Sequence, residues 1–190
     1  MPPRVRITGE QVVDAAVEII RESGLESLNA RAVAKKLNCS TQPVLYCFAT
    51  MEELKRAAYS RVDRLHTEYL LNSPPDCDPI LGIGLNYIRF AVKEPHLFRF
   101  LFQSGYATEH SLPEMIDSEE LEPVLAAMQE GLGMDREKTR DVFVTLALFT
   151  HGYASILANN ALEFDEQQAA AQLERVFLGA VMAAGQEETK

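Results

Sequence analysis

Residues 30–49, ARAVAKKLNCSTQPVLYCFA, decide how the chain is read. The apolar positions recur at three- and four-residue intervals on either side of Asn38, so the stretch divides into two short helices joined by a tight turn. Ala34 is small where the two helices cross, Val33 and Leu37 supply the first helix's core contacts, and Asn38 stands where a turn of this kind usually has glycine. Cys39, Val44 and Cys47 complete the inner face. This spacing predicts a helix-turn-helix.

Working outward, each neighbouring segment is also helical. Thr8 with Gln11 three residues on forms a capping-box pattern, opening a helix whose stripe is Val12, Val13, Ala16, Ile19 and Ile20 and whose stop is Gly24. Asn29 caps the first helix of the motif, and Ser40 the second, over Thr41–Cys47. Thr50 with Glu53 opens a long helix carrying Leu54, Ala57, Ala58, Val62 and Leu65, which runs to about Leu71. The linker NSPPDCDP, 72–79, follows. Beyond it the pattern predicts an apolar helix over 80–93, a break at Pro95, a short aromatic helix through Phe98, Leu101 and Phe102, a loop over 104–118, and helices over 119–132, 135–160 and 165–184. No sustained period-two alternation occurs, so the fold class is all-α. The expected division is 1–50, a helix-turn-helix domain, 51–72, a connecting helix, and 73–190, a second helical domain.

The 190 residues carry a net charge of −10, which speaks against a nucleic-acid partner until the distribution is considered. Residues 1–66 hold ten basic against eight acidic groups, whereas 67–190 hold eight against twenty. Cys39, Cys47 and Cys77 form an odd set without a CxxC pair, so neither a disulfide framework nor a zinc site is expected. Cys39 and Cys47 fall on the inner face of the motif, as small hydrophobes. No run reaches the roughly 18 apolar residues of a membrane span, and no export signal opens the chain. A cytoplasmic protein without membrane partner, metal or cofactor is expected.

If helix 41–47 enters a major groove, its first turn and outer face meet base edges. Thr41 then reaches base or phosphate, Gln42 an adenine edge and Leu45 a thymine methyl, with Tyr46 beside them. Pro43 is tolerated in a first turn. Asn29, Arg31 and Ser40 border the same surface, and Arg4, Arg6, Lys35 and Lys36 are candidate phosphate neighbours.

These residues carry a resemblance. AAVEIIRESGLESLNARAVAKKLNCS, STQPVLYCF and ATMEEL make residues 8–65 similar to the DNA-binding domain of the TetR (tetracycline-repressor-like) family. FAVKEPHLFRFLF and FTHGYASILANN are similar to that family's effector domains. Two positions depart from it: Leu45 stands where the family commonly has tyrosine and Met51 where it has lysine, both usually touching phosphate, with Tyr46 a partial substitute. The resemblance implies a ligand-responsive regulator, a repressor by occupancy, that binds a double-stranded, pseudo-palindromic operator as a homodimer and is released by a small molecule.

It also implies a four-helix dimer interface from the last two helices. Phe149, Gly152, Tyr153 and Ile156 with Val176, Phe177 and Ala180 recur there at helical spacing, and Gly152 permits close approach. The aromatic residues Tyr87, Phe90, Phe98, Phe100, Phe102, Tyr106 and Phe143, with Met115, are candidates to line an effector cavity. Asn86, His96, Gln103, His110 and His151 are the polar groups available to orient what binds there. An enzyme is the competing class, but GxSxG, phosphate-loop, HExxH and CxxC patterns are absent. The other alternative is a helical ligand-binding or adaptor dimer without DNA binding, suggested by Leu45, Met51 and the acidic second half.

Overall fold

A capping box starts the first helix, α1 (Gly9–Ser23): Gln11 N donates to Thr8 Oγ1 and Thr8 N to Gln11 Oε1. Gly24 ends it at φ 79°, and a Cβ there would lie 3.2 Å from His96 Nδ1, so both backbone and space favour glycine. A 3₁₀ turn (Leu25–Ser27) leads to α2 (Ala30–Lys36), α3 (Thr41–Cys47) and α4 (Met51–Leu71). In the computed structural model, which describes residues 7–72, 78–107, 116, 119, 121–160 and 162–186, these are followed by α5 (Pro79–Lys93), α6 (Pro95–Gln103), α7 (Glu122–Leu132), α8 (Arg136–Asn160) and α9 (Glu166–Gln186). Among the described residues there are nine α-helices and no strand, so the fold is all-α. Arg4, Arg6, Cys77, His110, Met115 and most of the expected linker and of the 104–118 loop lie outside the described residues.

The predicted helix from 119 begins instead at Glu122, with Pro123 in its first turn, where proline's missing N–H costs nothing. Asp78 caps α5 through Ile80 N and Leu81 N. Thr50 accepts from Glu53 N as expected, while Glu53 reaches back one residue further, to Ala49 N.

The chain divides into two compact units, Met1–Arg64 with His96–Ala107, and Leu65–Pro95 with Thr108–Lys190. These differ from the expected segments 1–50, 51–72 and 73–190: the division passes through α4, and the aromatic helix belongs almost wholly to the first unit. There Phe100 meets Tyr59 edge-on at 5.8 Å, and Tyr106, past the end of α6, donates to Glu52 Oε2 at 3.0 Å. Val12, Ile20, Val33, Val44, Leu54, Val62, Leu97 and Phe98 are its most deeply buried side chains.

In the second unit α8 packs against α5 and α9, with α7 against α5 and α8. Ile88, Met128, Val142, Phe143, Leu146, Leu157 and Leu173 fill the space between. By length and composition α8 is long and apolar enough to cross a membrane, which corrects the sequence expectation. Its Val142, Phe143, Leu146 and Leu157 are core residues, while Leu148 and Ile156 remain exposed.

Candidate functional site

The helix-turn-helix is built by local hydrogen bonds. Asn29 Oδ1 accepts from Arg31 N and Ala32 N at 3.1 and 3.0 Å, and its Nδ2 donates to Ser27 O at 3.2 Å. Its amide is therefore already engaged in starting α2, which reduces what it offers to DNA. At the other end Asn38 adopts φ 49°, its N–H donating to Lys35 O and the Cys39 N–H to Ala34 O at 2.9 Å. That pair of bonds is the Schellman arrangement, and it turns the chain into α3 without glycine.

Val44, 1% exposed, anchors α3 on its inner side. Gln42, Leu45 and Tyr46, spaced i, i+3, i+4, share the opposite face, with Leu45 50% and Tyr46 87% exposed. Thr41 and Pro43 are half-buried at the start of the helix. Ser40 holds the N-cap position, but its hydroxyl makes no capping bond, contrary to the expectation that it caps α3. Cys39 and Cys47 are half-buried.

Arg31 and Lys35 are exposed on α2 and have no carboxylate partner among the described residues. Lys36, expected beside phosphate, is instead paired with Glu22 at 2.8 Å. Arg61 pairs with Asp14 at 2.6 Å, Arg56 with Glu52 at 3.1 Å, and Arg21 with Glu18. Such exposed pairs add little stability, yet each lowers the local positive charge.

The expected effector residues fall into separate groups. Phe98 is fully buried in the first unit, 4.9 Å from Phe102 by ring centroids, and Tyr106 is held there by Glu52 with the Arg56 guanidinium over its ring. Burial and the Glu52 carboxylate both push the Tyr106 hydroxyl up, against the opposing effect of Arg56. Phe143 is 8% exposed in the core of the second unit.

Tyr87 and His151, 64 positions apart in sequence, do meet. The Tyr87 hydroxyl and His151 Nδ1 share a hydrogen bond at 2.9 Å, and Ser155 Oγ lies 3.3 Å from His151 Nε2. Burial raises the Tyr87 hydroxyl and lowers the His151 imidazole, so both stay neutral near pH 7. His66, on α4, stands edge-on to Tyr87 and Phe90 with centroids 5.2 and 4.9 Å away. The sequence reading gave His66 no place in this group.

Asn86 and His96, offered as polar groups for a ligand, are engaged elsewhere. Asn86 Nδ2 donates to the carbonyls of Tyr69, Leu70 and Asn72 at 3.1–3.3 Å, and its Oδ1 accepts from Arg89, which also pairs with Glu166. His96 Nδ1 lies 3.0 Å from the Arg99 guanidinium, and Gln103 is exposed. Among the described residues no group of three His, Cys, Asp or Glu side chains is placed to hold a metal ion.

The expected dimer residues are distributed unevenly. Gly152 and Ile156 are exposed on α8, Phe149 and Tyr153 flank them half-buried, and Val176 and Phe177 are half-buried on α9. Ala180 is in the subunit's own core, on the face with Leu173 and Ala184. The exposed apolar residues of α9 are Leu178 and Met182, and Leu148 extends the α8 stripe to Leu148, Gly152 and Ile156. The sequence reading missed all three leucine and methionine positions.

The Tetracyclin repressor-like, C-terminal domain family matches residues 80–180, more than half of the chain. The HTH-type transcriptional regulator YobS of Bacillus subtilis (strain 168) is 24% identical over 173 residues, 87% of either chain. HdnoR, an HTH-type nicotine-responsive transcriptional repressor of Paenarthrobacter nicotinovorans, is 39% identical over 49 residues, 26% of this chain and 25% of HdnoR. The structure of the multidrug binding protein EbrR, complexed with malachite green, has a TM-score of 0.60 at 19% identity and covers 92% of this chain and 98% of its own. With the family's C-terminal domain matched over 80–180 and a helix-turn-helix built at residues 30–47, the chain belongs to the TetR family of transcriptional regulators.

Proposed function

We propose that this protein is a ligand-responsive repressor that acts in the cytoplasm, holding a pseudo-palindromic operator as a homodimer and releasing it when a small organic molecule binds. The observation that carries the reading is the outer face of α3. Gln42, Leu45 and Tyr46 are exposed together while Val44 is buried. A helix so anchored fits a major groove with its outer face against base edges. Thr41 and Ser40 border that face, and Arg31 and Lys35 supply phosphate contacts.

One two-turn helix offers few base contacts, so two copies related by symmetry are needed to define a site. The exposed stripes Leu148, Gly152, Ile156 and Leu178, Met182 support a partner face on α8 and α9, with Phe149, Tyr153, Val176 and Phe177 at its edges. That use of the surface also accounts for the apolar length of α8 without a bilayer.

HdnoR's response to nicotine and EbrR's complex with malachite green support an organic effector here too. Tyr87, His151 and Ser155 are the polar groups that would orient it, with Phe143 in the packing behind. Release requires the effector to prefer the non-binding conformation, each tenfold of preference contributing about 1.4 kcal/mol. The ion pairs Glu122–Arg136 and Glu166–Arg89, which hold both carboxyls below their usual range, give those acids structural rather than catalytic work.

Mobility-shift titrations against DNA flanking the protein's own gene, over a range of salt, test the reading. A sequence-selective complex that weakens with salt is expected; no selective complex even at low salt leaves an adaptor dimer instead. Gly152→Arg should yield monomers that no longer bind the operator, and a wild-type-sized species in light scattering would remove α8 from the interface.

A further inference from the structure

Resting on the DNA-binding reading, we infer that Leu45 makes this protein a reader of C5-methyl groups in the major groove, so that each half-site is recognised through a thymine methyl and not through a cation on guanine. The helix α3, TQPVLYC, has no acidic or basic residue. Its outer face therefore lacks the arginine or lysine that makes the commonest contact to guanine O6 and N7. What the face presents is an amide at Gln42 and, one turn on, the exposed side chains of Leu45 and Tyr46.

Leucine has no hydrogen-bonding group, and the only apolar feature on a base edge in this groove is the methyl at C5 of thymine. Leu45 is half exposed on the helix opposite its anchor Val44, so its exposure serves no packing within the chain's described residues. Tyr46, still more exposed, ends in a hydroxyl suited to a phosphate oxygen, which leaves base discrimination in the second turn to Leu45. A methyl carried by cytosine at the same groove position presents the same surface to that side chain.

The full-length protein is used to select an operator from a random duplex library. Each thymine of a half-site is then replaced singly by deoxyuridine, and the position that responds is also made cytosine or 5-methylcytosine. At one position per half-site the methyl should be worth about fourfold in affinity, the contribution of one methyl group removed from water. 5-Methylcytosine should exceed cytosine by a similar factor. Leu45→Ala should abolish both differences and Leu45→Met should keep them, while Tyr46→Phe should weaken every duplex alike. Circular dichroism melting checks that each variant folds. Equal affinity for thymine and deoxyuridine at every position, or methyl discrimination that survives Leu45→Ala, overturns the inference while leaving DNA binding intact. Failure to select any operator overturns the DNA-binding reading and this inference with it.

Discussion

Lowering the pH should destabilise the fold through His66, and the size of the effect follows from its surroundings. The imidazole is 4% exposed and lies edge-on to Tyr87 and Phe90. Burial lowers its pKa from 6.5 to about 3, because the charged form loses its hydration there. Above pH 6.5 the ring is neutral whether the chain is folded or not, and the neutral, buried form is fully compatible with the fold. As the pH falls from about 6.5 towards about 3, the unfolded chain takes up a proton that the folded chain refuses, so stability is lost through that window. At pH 4.5 the loss is about 2.7 kcal/mol relative to pH 7.5, a large share of the ~5–15 kcal/mol typical of a domain. Urea unfolding followed by far-UV circular dichroism, at pH 7.5 and 4.5 and at one protein concentration, measures it in the wild type and in His66→Phe. The variant should lose about 2.7 kcal/mol less between the two pH values. Glu122, Glu166 and His151 also favour higher pH, since all three are shifted down, but they are present in both proteins and cancel in the difference. Equal losses in the two proteins would show that the His66 site accommodates the charged ring.

Three other perturbations follow from the geometry. Asn86→Leu keeps the size of the side chain but removes the donor to the carbonyls of Tyr69, Leu70 and Asn72, and should lower unfolding free energy by about 2–4 kcal/mol; a loss under about 1 kcal/mol would mean that those carbonyls find other partners. Gly84→Ala places a Cβ 2.7 Å from Leu173 Cδ2, and Leu173 is only 1% exposed, so crowding should outweigh alanine's helix preference and the thermal midpoint should fall, not rise. Asn38→Gly should be neutral or stabilising at φ 49°, whereas Asn38→Ala should cost about 1 kcal/mol in the same thermal melts; the reverse order would mean that the asparagine side chain holds the turn.

What the sequence shows clearly and what it hides differ in the range of the interactions involved. The capping box at Thr8 and Gln11, the cap at Asn29 and the left-handed turn at Asn38 are set by residues within four positions of one another, so each can be read from its own neighbourhood. Even here local reading overreaches: Ser40 has the residue type of a cap and stands at the cap position, but composition does not say whether its hydroxyl turns inward. Long-range pairings leave no such mark. Nothing in the sequence near Asn86 indicates that its amide closes the end of a helix 14–17 residues earlier, and nothing near Tyr87 points to His151. Aromatic residues are equally suited to any interior, which is why Phe98, Phe102 and Tyr106 looked like companions of Tyr87 and Phe143 although they belong to the other compact unit. The phase of α9 was hidden for a related reason. Val176, Phe177, Leu178, Ala180, Val181 and Met182 place apolar residues on nearly every side of the helix, so periodicity alone cannot separate an inward face from an outward one. The separation is made by the neighbours: α5 and α8 cover Leu173, Ala180 and Ala184, and the side left over, with Leu178 and Met182, is the one that needs a second subunit. A helix apolar all round is the sequence signature of an element with two sets of partners, one within the chain and one outside it.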